Sequence, residues 1–291
     1  MERIFESITV SAVEHVQCNG LVFPMLKWGS SSGRPILLLH GFPQEPGTWA
    51  PIAEKLAREG FQVFAPLQRG YCIGTQPQQE DGYTFGHFIQ DAIALADTLR
   101  LDKFDVAGFG IGAALAWMLA AYHPTRIRSL AALRYPHPAA FAQAMQSDPE
   151  QKNKWFRVQE DLGAGNPAEK AAAMLADNAT GLRRFLEVSG LPQPFLDRYV
   201  SRLKEPGTLA GALFWNQAIS LEEFARVPAI RIPALYVWTE GPAVARAAAE
   251  ATRMFATDSL TEVSIEGGGH FMLEISPESL IAPLLQHFGA T

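Results

Sequence analysis

Cysteine is scarce in this sequence: Cys18 and Cys72 are the only two in 291 residues. So few thiols build no disulfide framework, and a reducing, cytoplasmic setting is the expectation. Positive charge is also in short supply. Lys and Arg number 24 against 30 Asp and Glu, a formal net charge of −6. A phosphate-binding face needs clustered cations, so no nucleic-acid partner is expected. No apolar run reaches the roughly 18 residues of a membrane span, so no membrane partner is expected either. The opening Met-Glu-Arg-Ile-Phe-Glu-Ser scatters charges where a signal peptide keeps an apolar stretch, and it is read as no secretory leader. Metal-ligand spacing is missing: His15, His87, His123, His137 and His287 fall in no His-x-x-x-His pattern. No metal and no other cofactor is expected.

What is present is apolar bulk. Hydrophobic residues make up 48% and charged residues 19%, enough for a large core. Short β-type runs alternate with helical runs. Strands are expected at 8–14 and 21–28 as a leading hairpin, then at 35–40, 62–67, 104–109 and 127–134. Helices are expected near 48–59, 85–100 and 111–122. The βαβ alternation implies a mostly parallel sheet with helices on both faces. It stops at about Tyr135. From 136 to 228 the chain reads as helices broken by Pro and Gly. Strands resume at 235–238 and 260–265, each followed by a helix. The expected organisation is an α/β core of residues 1–135 and 229–291, interrupted by a helical insertion of residues 136–228.

Three motifs follow strands. His40-Gly41-Phe42-Pro43 offers backbone N–H groups that can stabilise an oxyanion. Gly108-Phe109-Gly110-Ile111-Gly112 matches the strand-turn-helix pattern of a nucleophile elbow, G-x-Nu-x-G. It also fits a dinucleotide fingerprint, but that reading needs an acidic residue about 20 positions on, and Leu130–Arg134 holds none. Near the end, Gly267-Gly-Gly-His270 puts a histidine after the last strand, the edge where parallel sheets carry catalytic groups.

With those motifs the chain resembles the α/β-hydrolase superfamily, and within it the epoxide-hydrolase and haloalkane-dehalogenase-like branch. Gln68-Arg-Gly-Tyr71, Pro136-His-Pro138 and Val237-Trp238 also fall in that family's order. The resemblance covers nearly the whole length. It implies an α/β-hydrolase fold with a mostly parallel eight-stranded sheet, a helical cap at 136–228, and a site between core and cap.

The departures bear on function. The branch commonly reads Gly-His-Asp-Trp-Gly at the elbow, and esterase relatives carry Ser; here the nucleophile position is Gly110. The acid expected after the Val-Trp strand is missing from Trp238-Thr-Glu240-Gly241-Pro242, which is one residue short. The other acid location, after the sixth strand, holds Arg134-Tyr135. Only His270 survives from a triad, with Glu240 as a candidate to orient it. Phe42 and Ile111 are the candidate oxyanion donors. Phe109, Ile73, Trp49 and Trp215 are candidates to line a small-molecule site, against core packing for the two tryptophans. Arg134 and Tyr135 can bind an anionic or carbonyl group, unless Arg134 pairs with a cap carboxylate. Cys72 is the one thiol near the expected pocket mouth. Cys18, on the hairpin, is read as structural. The departures cluster at 72, 73, 109, 110, 111 and 241, a pattern that redesign and natural drift both produce.

Three functions fit these residues. In the preferred one, His270 acts as a general base in chemistry without a covalent intermediate, as a lyase, isomerase or cyclase. In the second, Cys72 with His270 is a relocated hydrolytic nucleophile. In the third, the chain binds a small molecule without turning it over. The expected partner is a small, largely apolar molecule, and the expected state is monomer or homodimer.

Overall fold

The computed structural model describes residues 12–77, 79–241, 243–257, 259–267 and 269–291. Eight strands form one sheet in the order β1-β2-β4-β3-β5-β6-β7-β8. They are β1 (Ala12–Cys18), β2 (Leu21–Trp28), β3 (Arg34–Leu39), β4 (Phe61–Pro66), β5 (Phe104–Phe109), β6 (Ile127–Leu133), β7 (Ala234–Trp238) and β8 (Leu260–Ser264). β1, β2 and β4 pair antiparallel, and every pairing from β4 through β8 is parallel.

The first strand continues past the expected end at 14 to Cys18, and residues 8–11 of the expected strand lie outside the described ones. Asn19 and Gly20 both have positive φ, +50° and +72°. That two-residue turn suits a tight hairpin, so pairing continues up to Cys18 opposite Leu21.

Strand residues alternate between two cores, as the pleat requires. Leu37, Leu39, Val106, Leu130, Ala132 and Tyr236 face one core. Ile36, Leu38, Ala107, Ala131, Leu133 and Val237 face the other. Helix α1 (Ala50–Arg58) covers the second core with Ile52, Ala53 and Leu56. Helices α2 (Phe85–Thr98) and α3 (Ile111–Tyr122) cover the first. Nearly every residue of α3 is buried, which its Ala-rich, uncharged sequence permits.

Six helices lie between β6 and β7: α4 (Pro138–Ser147), α5 (Pro149–Val158), α6 (Pro167–Val188), α7 (Gln193–Leu203), α8 (Thr208–Gln217) and α9 (Leu221–Ala225). Asp177, Asn178 and Ala179 take left-handed backbone angles and break α6 in two. After β7 come α10 (Arg246–Ala251), then α11 (Met272–Ile275) and α12 (Glu278–Ala290), whose Leu280, Leu284 and Phe288 complete the second core. No helix of the described residues is long and apolar enough to cross a membrane. The parallel strands all end at one edge, which therefore gathers the loops after β3, β5, β6, β7 and β8.

Candidate active site

At that edge, β5 turns into α3 through Gly110, at φ +55° and ψ −126°. Side chains rarely adopt such a backbone, and glycine removes the penalty. Its neighbours are glycines for a different reason. A Cβ on Gly108 would lie 2.2 Å from the Gly112 carbonyl oxygen, and one on Gly112 would lie 2.4 Å from that of His40. One on Gly41 would lie 2.6 Å from the Phe109 oxygen. The turn and the His40–Pro43 loop are thus in direct backbone contact. A Cβ on Gly110 would meet only the Gly41 Cα, at 3.9 Å, so open space faces the side that lacks a side chain.

His40 braces the loop. Its Nδ1–H donates to the Gly41 carbonyl at 2.9 Å, and its Nε2 accepts from the Gln68 amide at 3.2 Å. Full burial holds this imidazole neutral, its pKa lowered to about 4. Tyr71 donates to the same Gly41 oxygen at 3.2 Å. The amides of Phe42 and Ile111 make no hydrogen bond among the described residues. Ile111 directly follows Gly110, and Phe42 follows Gly41, whose Cα is the atom nearest a Cβ on Gly110.

His270 stands on the loop between β8 and α11. Its Nε2 lies 2.8 Å from the Phe42 carbonyl oxygen. A carbonyl only accepts, so Nε2 carries the proton and the lone pair is on Nδ1. Burial, then the nearby Arg134 charge, lower the His270 pKa to about 4, against the Phe42 hydrogen bond. The imidazole is therefore neutral at neutral pH.

Arg134 directly follows β6. Its amide bonds the Val237 oxygen at 2.8 Å, while its φ is +67°, unusual for a residue with a Cβ. The guanidinium lies 6.0 Å from the Phe109 ring centroid. A Cβ on Gly241 would come within 2.6 Å of Nη2, so Gly241 makes room for this side chain. No carboxylate lies within 4.0 Å of the guanidinium among the described residues, and the buried Nε has no acceptor. The expected pairing with a cap carboxylate is not found there. Burial lowers the Arg134 pKa to about 10.

Phe42, Phe109, Gly110, Ile111, Arg134 and His270 thus come together. The other candidates sit elsewhere. Glu240 is half exposed, 4.0 Å from Lys154 and 3.9 Å from Arg246, and makes no bond to His270. It lines an open crevice of about 490 Å³ between the ends of β7 and β8. Cys72 is buried, with Sγ 3.6 Å from the Thr75 hydroxyl, and it opens the short turn Ile73–Thr75. No hydrogen bond joins it to His270. Ile73 is 70% exposed, pushed outward by that turn. Trp49 is fully buried in the second core, under the sheet. Trp215 stacks on Phe88 at 3.7 Å and donates to the Arg69 oxygen at 2.8 Å. Tyr135 is wedged against Phe141 and Phe224 in the first core. Among the described residues no three His, Cys, Asp or Glu side chains gather as metal ligands.

One pair escaped sequence reasoning. The Tyr199 hydroxyl on α7 donates to the Glu274 carboxylate on α11 and also contacts the Thr48 hydroxyl at 3.2 Å. Burial pushes the Glu274 pKa up to about 7. The pair borders a crevice of about 380 Å³ with Arg198 and Thr48. Glu274 stands on α11, 75 residues beyond Tyr199, so no local spacing in the sequence signals the pair.

With this geometry in hand, relatives are informative. Residues 34–277 match the alpha/beta hydrolase fold family. An AB hydrolase superfamily protein, YfhM of Bacillus subtilis, is 29% identical over 230 residues, covering 77% of this chain and 79% of its own. Epoxide hydrolase A of Mycobacterium tuberculosis is 26% identical over 307 aligned positions, covering 93% and 95%. Among solved structures, one of the epoxide hydrolases found in metagenomes from hot environments superimposes with a TM-score of 0.84. It is 25% identical and covers 97% of this chain and 99% of its own. Strand order, loop placement and these relatives agree that the chain belongs to the alpha/beta hydrolase fold family.

Proposed function

We propose that this chain is an enzyme of the epoxide-hydrolase-like branch that acts on a small organic molecule without a covalent intermediate at residue 110. The observation that carries this reading is the turn itself: Gly110 has no side chain, and the space beside it is open. Covalent catalysis needs a nucleophile within hydrogen-bond reach of a base. Against Cys72 as that nucleophile stands the placement of its thiol, 3.6 Å from the Thr75 hydroxyl and with no hydrogen bond to His270 among the described residues. Glu240 does not orient the histidine, since it faces Lys154 and Arg246.

His270 serves as the base through Nδ1, with Nε2–H anchored on the Phe42 oxygen. This inverts the usual triad, where Nε2 serves the nucleophile. Proton removal beside a carbonyl or similar acceptor builds charge on oxygen, and the free Phe42 and Ile111 amides receive it. Elimination, isomerisation and cyclisation all need only these parts. A second reading, binding without turnover, draws support from the same anchored Nε2, which suits a fixed donor. In either case the cap of residues 136–228 is the cover, a role supported by the packing of Phe185 against Phe42.

The test is turnover and intact mass together, on the parent chain and His270→Ala, across epoxides, activated esters and elimination substrates. The expected result is turnover with no covalent adduct, reduced about 10²-fold or more in His270→Ala. An adduct on the parent chain, or turnover indifferent to His270, would overturn the reading. Saturable binding with no turnover of any substrate would establish the second reading.

A further inference from the structure

Arg134 poses a problem of charge. Its guanidinium carries five donors, its Nε is shut off from solvent, and no protein acceptor takes any of them among the described residues. Buried or half-buried guanidinium groups are ordinarily paired. The groups facing Arg134 are His270, Tyr236 and Glu274. His270 is neutral. The Tyr236 hydroxyl is buried and its ionisation is pushed well above the usual range. Glu274 is committed to Tyr199, and burial favours its protonated form. Glu240, the carboxylate on the neighbouring strand end, turns outward to Lys154 and Arg246. Among the described residues no acceptor pairs directly with this cation, and the Glu274 charge acts on it only from beyond ion-pair distance.

The chain nevertheless holds it in place at some expense. Arg134 keeps a left-handed φ of +67° that a glycine or asparagine would take more readily. Gly241 leaves the room its Nη2 occupies. The Phe109 ring lies near the guanidinium, and the same residue's backbone abuts Gly41 of the oxyanion loop. The cation therefore stands at the cluster of His270, Gly110 and the free amides, and it lacks only an anion.

We propose that Arg134 is the anchor of a carboxylate-binding subsite, so that the small molecule acted on at His270 is an organic acid. This rests on the reading that the His270–Gly110 cluster receives a small molecule. A carboxylate matches the planar fork with two parallel hydrogen bonds, and its single charge balances the single cation.

The test uses the full chain with benzoate, its neutral isostere benzamide, and inorganic phosphate as probes, read by calorimetry and by the NMR titration of the His270 ring. Benzoate is expected to bind about tenfold or more tighter than benzamide, the range of a hydrogen bond to a charged group. Arg134→Gln is expected to bring benzoate down to the benzamide level. Arg134→Gly is the folding control, because glycine accepts the φ at this position, and it should lose the preference equally. In the parent chain, benzoate should also raise the His270 pKa by screening the cation. Equal binding of benzoate and benzamide, or preference retained in both variants, overturns the proposal. Phosphate binding as tight as benzoate and equally dependent on Arg134 overturns the carboxylate assignment in favour of a general anion site. His270→Ala keeps benzoate binding while losing turnover. If instead benzoate fails to bind and a neutral substrate still turns over in a His270-dependent way, the carboxylate subsite fails and the catalytic reading stands.

Discussion

Four glycines at one strand edge make an experiment in which position alone decides the cost. Take each to alanine in turn: Gly41, Gly108, Gly110 and Gly112. At three of them the new Cβ lands 2.2–2.6 Å from a backbone oxygen: Gly112 for Gly108, Phe109 for Gly41, His40 for Gly112. These oxygens belong to packed strand ends and the first turn of α3, so no side chain can swing aside to relieve the contact. The strand and helix must part by about 1 Å, well beyond a tight van der Waals approach. Such overlap belongs with the largest single-residue losses, above about 4 kcal/mol. Gly112→Ala gains helix propensity, but only about 1 kcal/mol.

Gly110 is different. Its Cβ would meet nothing closer than 3.9 Å, so only the backbone penalty of φ +55°, ψ −126° remains. That penalty is about 1–3 kcal/mol, and loss of unfolded-state freedom returns about 0.4–1 of it. Urea unfolding should show Gly110→Ala lower by about 1–2 kcal/mol, a fall of a few degrees in Tm. The other three should lose the cooperative transition or most of it. If Gly110→Ala costs as much as Gly112→Ala, the open space at the turn is wrong. If it costs nothing, the strained backbone is wrong.

Acid should unfold this protein early. His40, His137, His270 and His287 are each lowered from 6.5 to about 4 by burial. The unfolded imidazoles bind protons near pH 6.5 and the folded ones only near 4, so stability is lost as pH falls through that window, about 3 kcal/mol per group. Glu274, raised to about 7, works the other way: the fold keeps its proton longer, and acidification from 7 toward 4.5 restores roughly one group's worth. The net of about three histidines rivals a whole domain's stability. Near-UV circular dichroism should report loss of tertiary structure between pH 6 and 4, and a native spectrum at pH 4 would contradict this. Arg134→Gly should stabilise the chain by about 1 kcal/mol or more in urea, by relieving a left-handed backbone and an unpaired charge. A less stable variant would mean that Arg134 has a partner within the fold. Glu240→Gln and Cys72→Ser should leave His270-dependent turnover within about twofold, because neither side chain contacts His270. A loss comparable to that of His270→Ala would return either residue to the mechanism.

Loop identity was legible in the sequence, and side-chain direction was not. Glycine spacing at 108–112 marks a close backbone approach wherever it occurs between a strand and an apolar helix, and the structure places a carbonyl at each required point. The continuous apolar run before His40 needs both faces covered, and both cores receive it. Glu240 has the right loop, but that loop is one residue short and points the carboxylate to Lys154 and Arg246. Cys72 lies near the expected mouth in sequence, but a three-residue turn draws its thiol to Thr75 and turns Ile73 to solvent. Trp49 and Trp215 illustrate the older rule that large aromatics usually fill cores. Tyr199 and Glu274 meet across 75 residues of chain, a pairing that no local pattern encodes.

The three departures from a triad are physically one. A buried carboxylate behind a histidine is stabilising when the imidazolium forms, and it forms because a nucleophile gives up its proton. Without a nucleophile at residue 110, a carboxylate there would be an uncompensated buried charge. Arg134 takes the space beside Gly241 instead, and its charge opposes the imidazolium that a triad needs. Nε2, with no hydroxyl to serve, keeps its proton and donates to Phe42. Restoring one part alone should therefore fail. Gly110→Ser supplies a hydroxyl with room around it, yet the histidine that would take its proton is held from ionising by burial and by the Arg134 charge. Incubated with an activated ester, Gly110→Ser should acylate no faster than Gly110→Ala by intact mass. The pair Gly110→Ser with Arg134→Gly should acylate faster than either single variant, though burial still holds His270 below its ordinary pKa. Equal acylation of Gly110→Ser with and without Arg134 would mean that the cation does not govern the histidine.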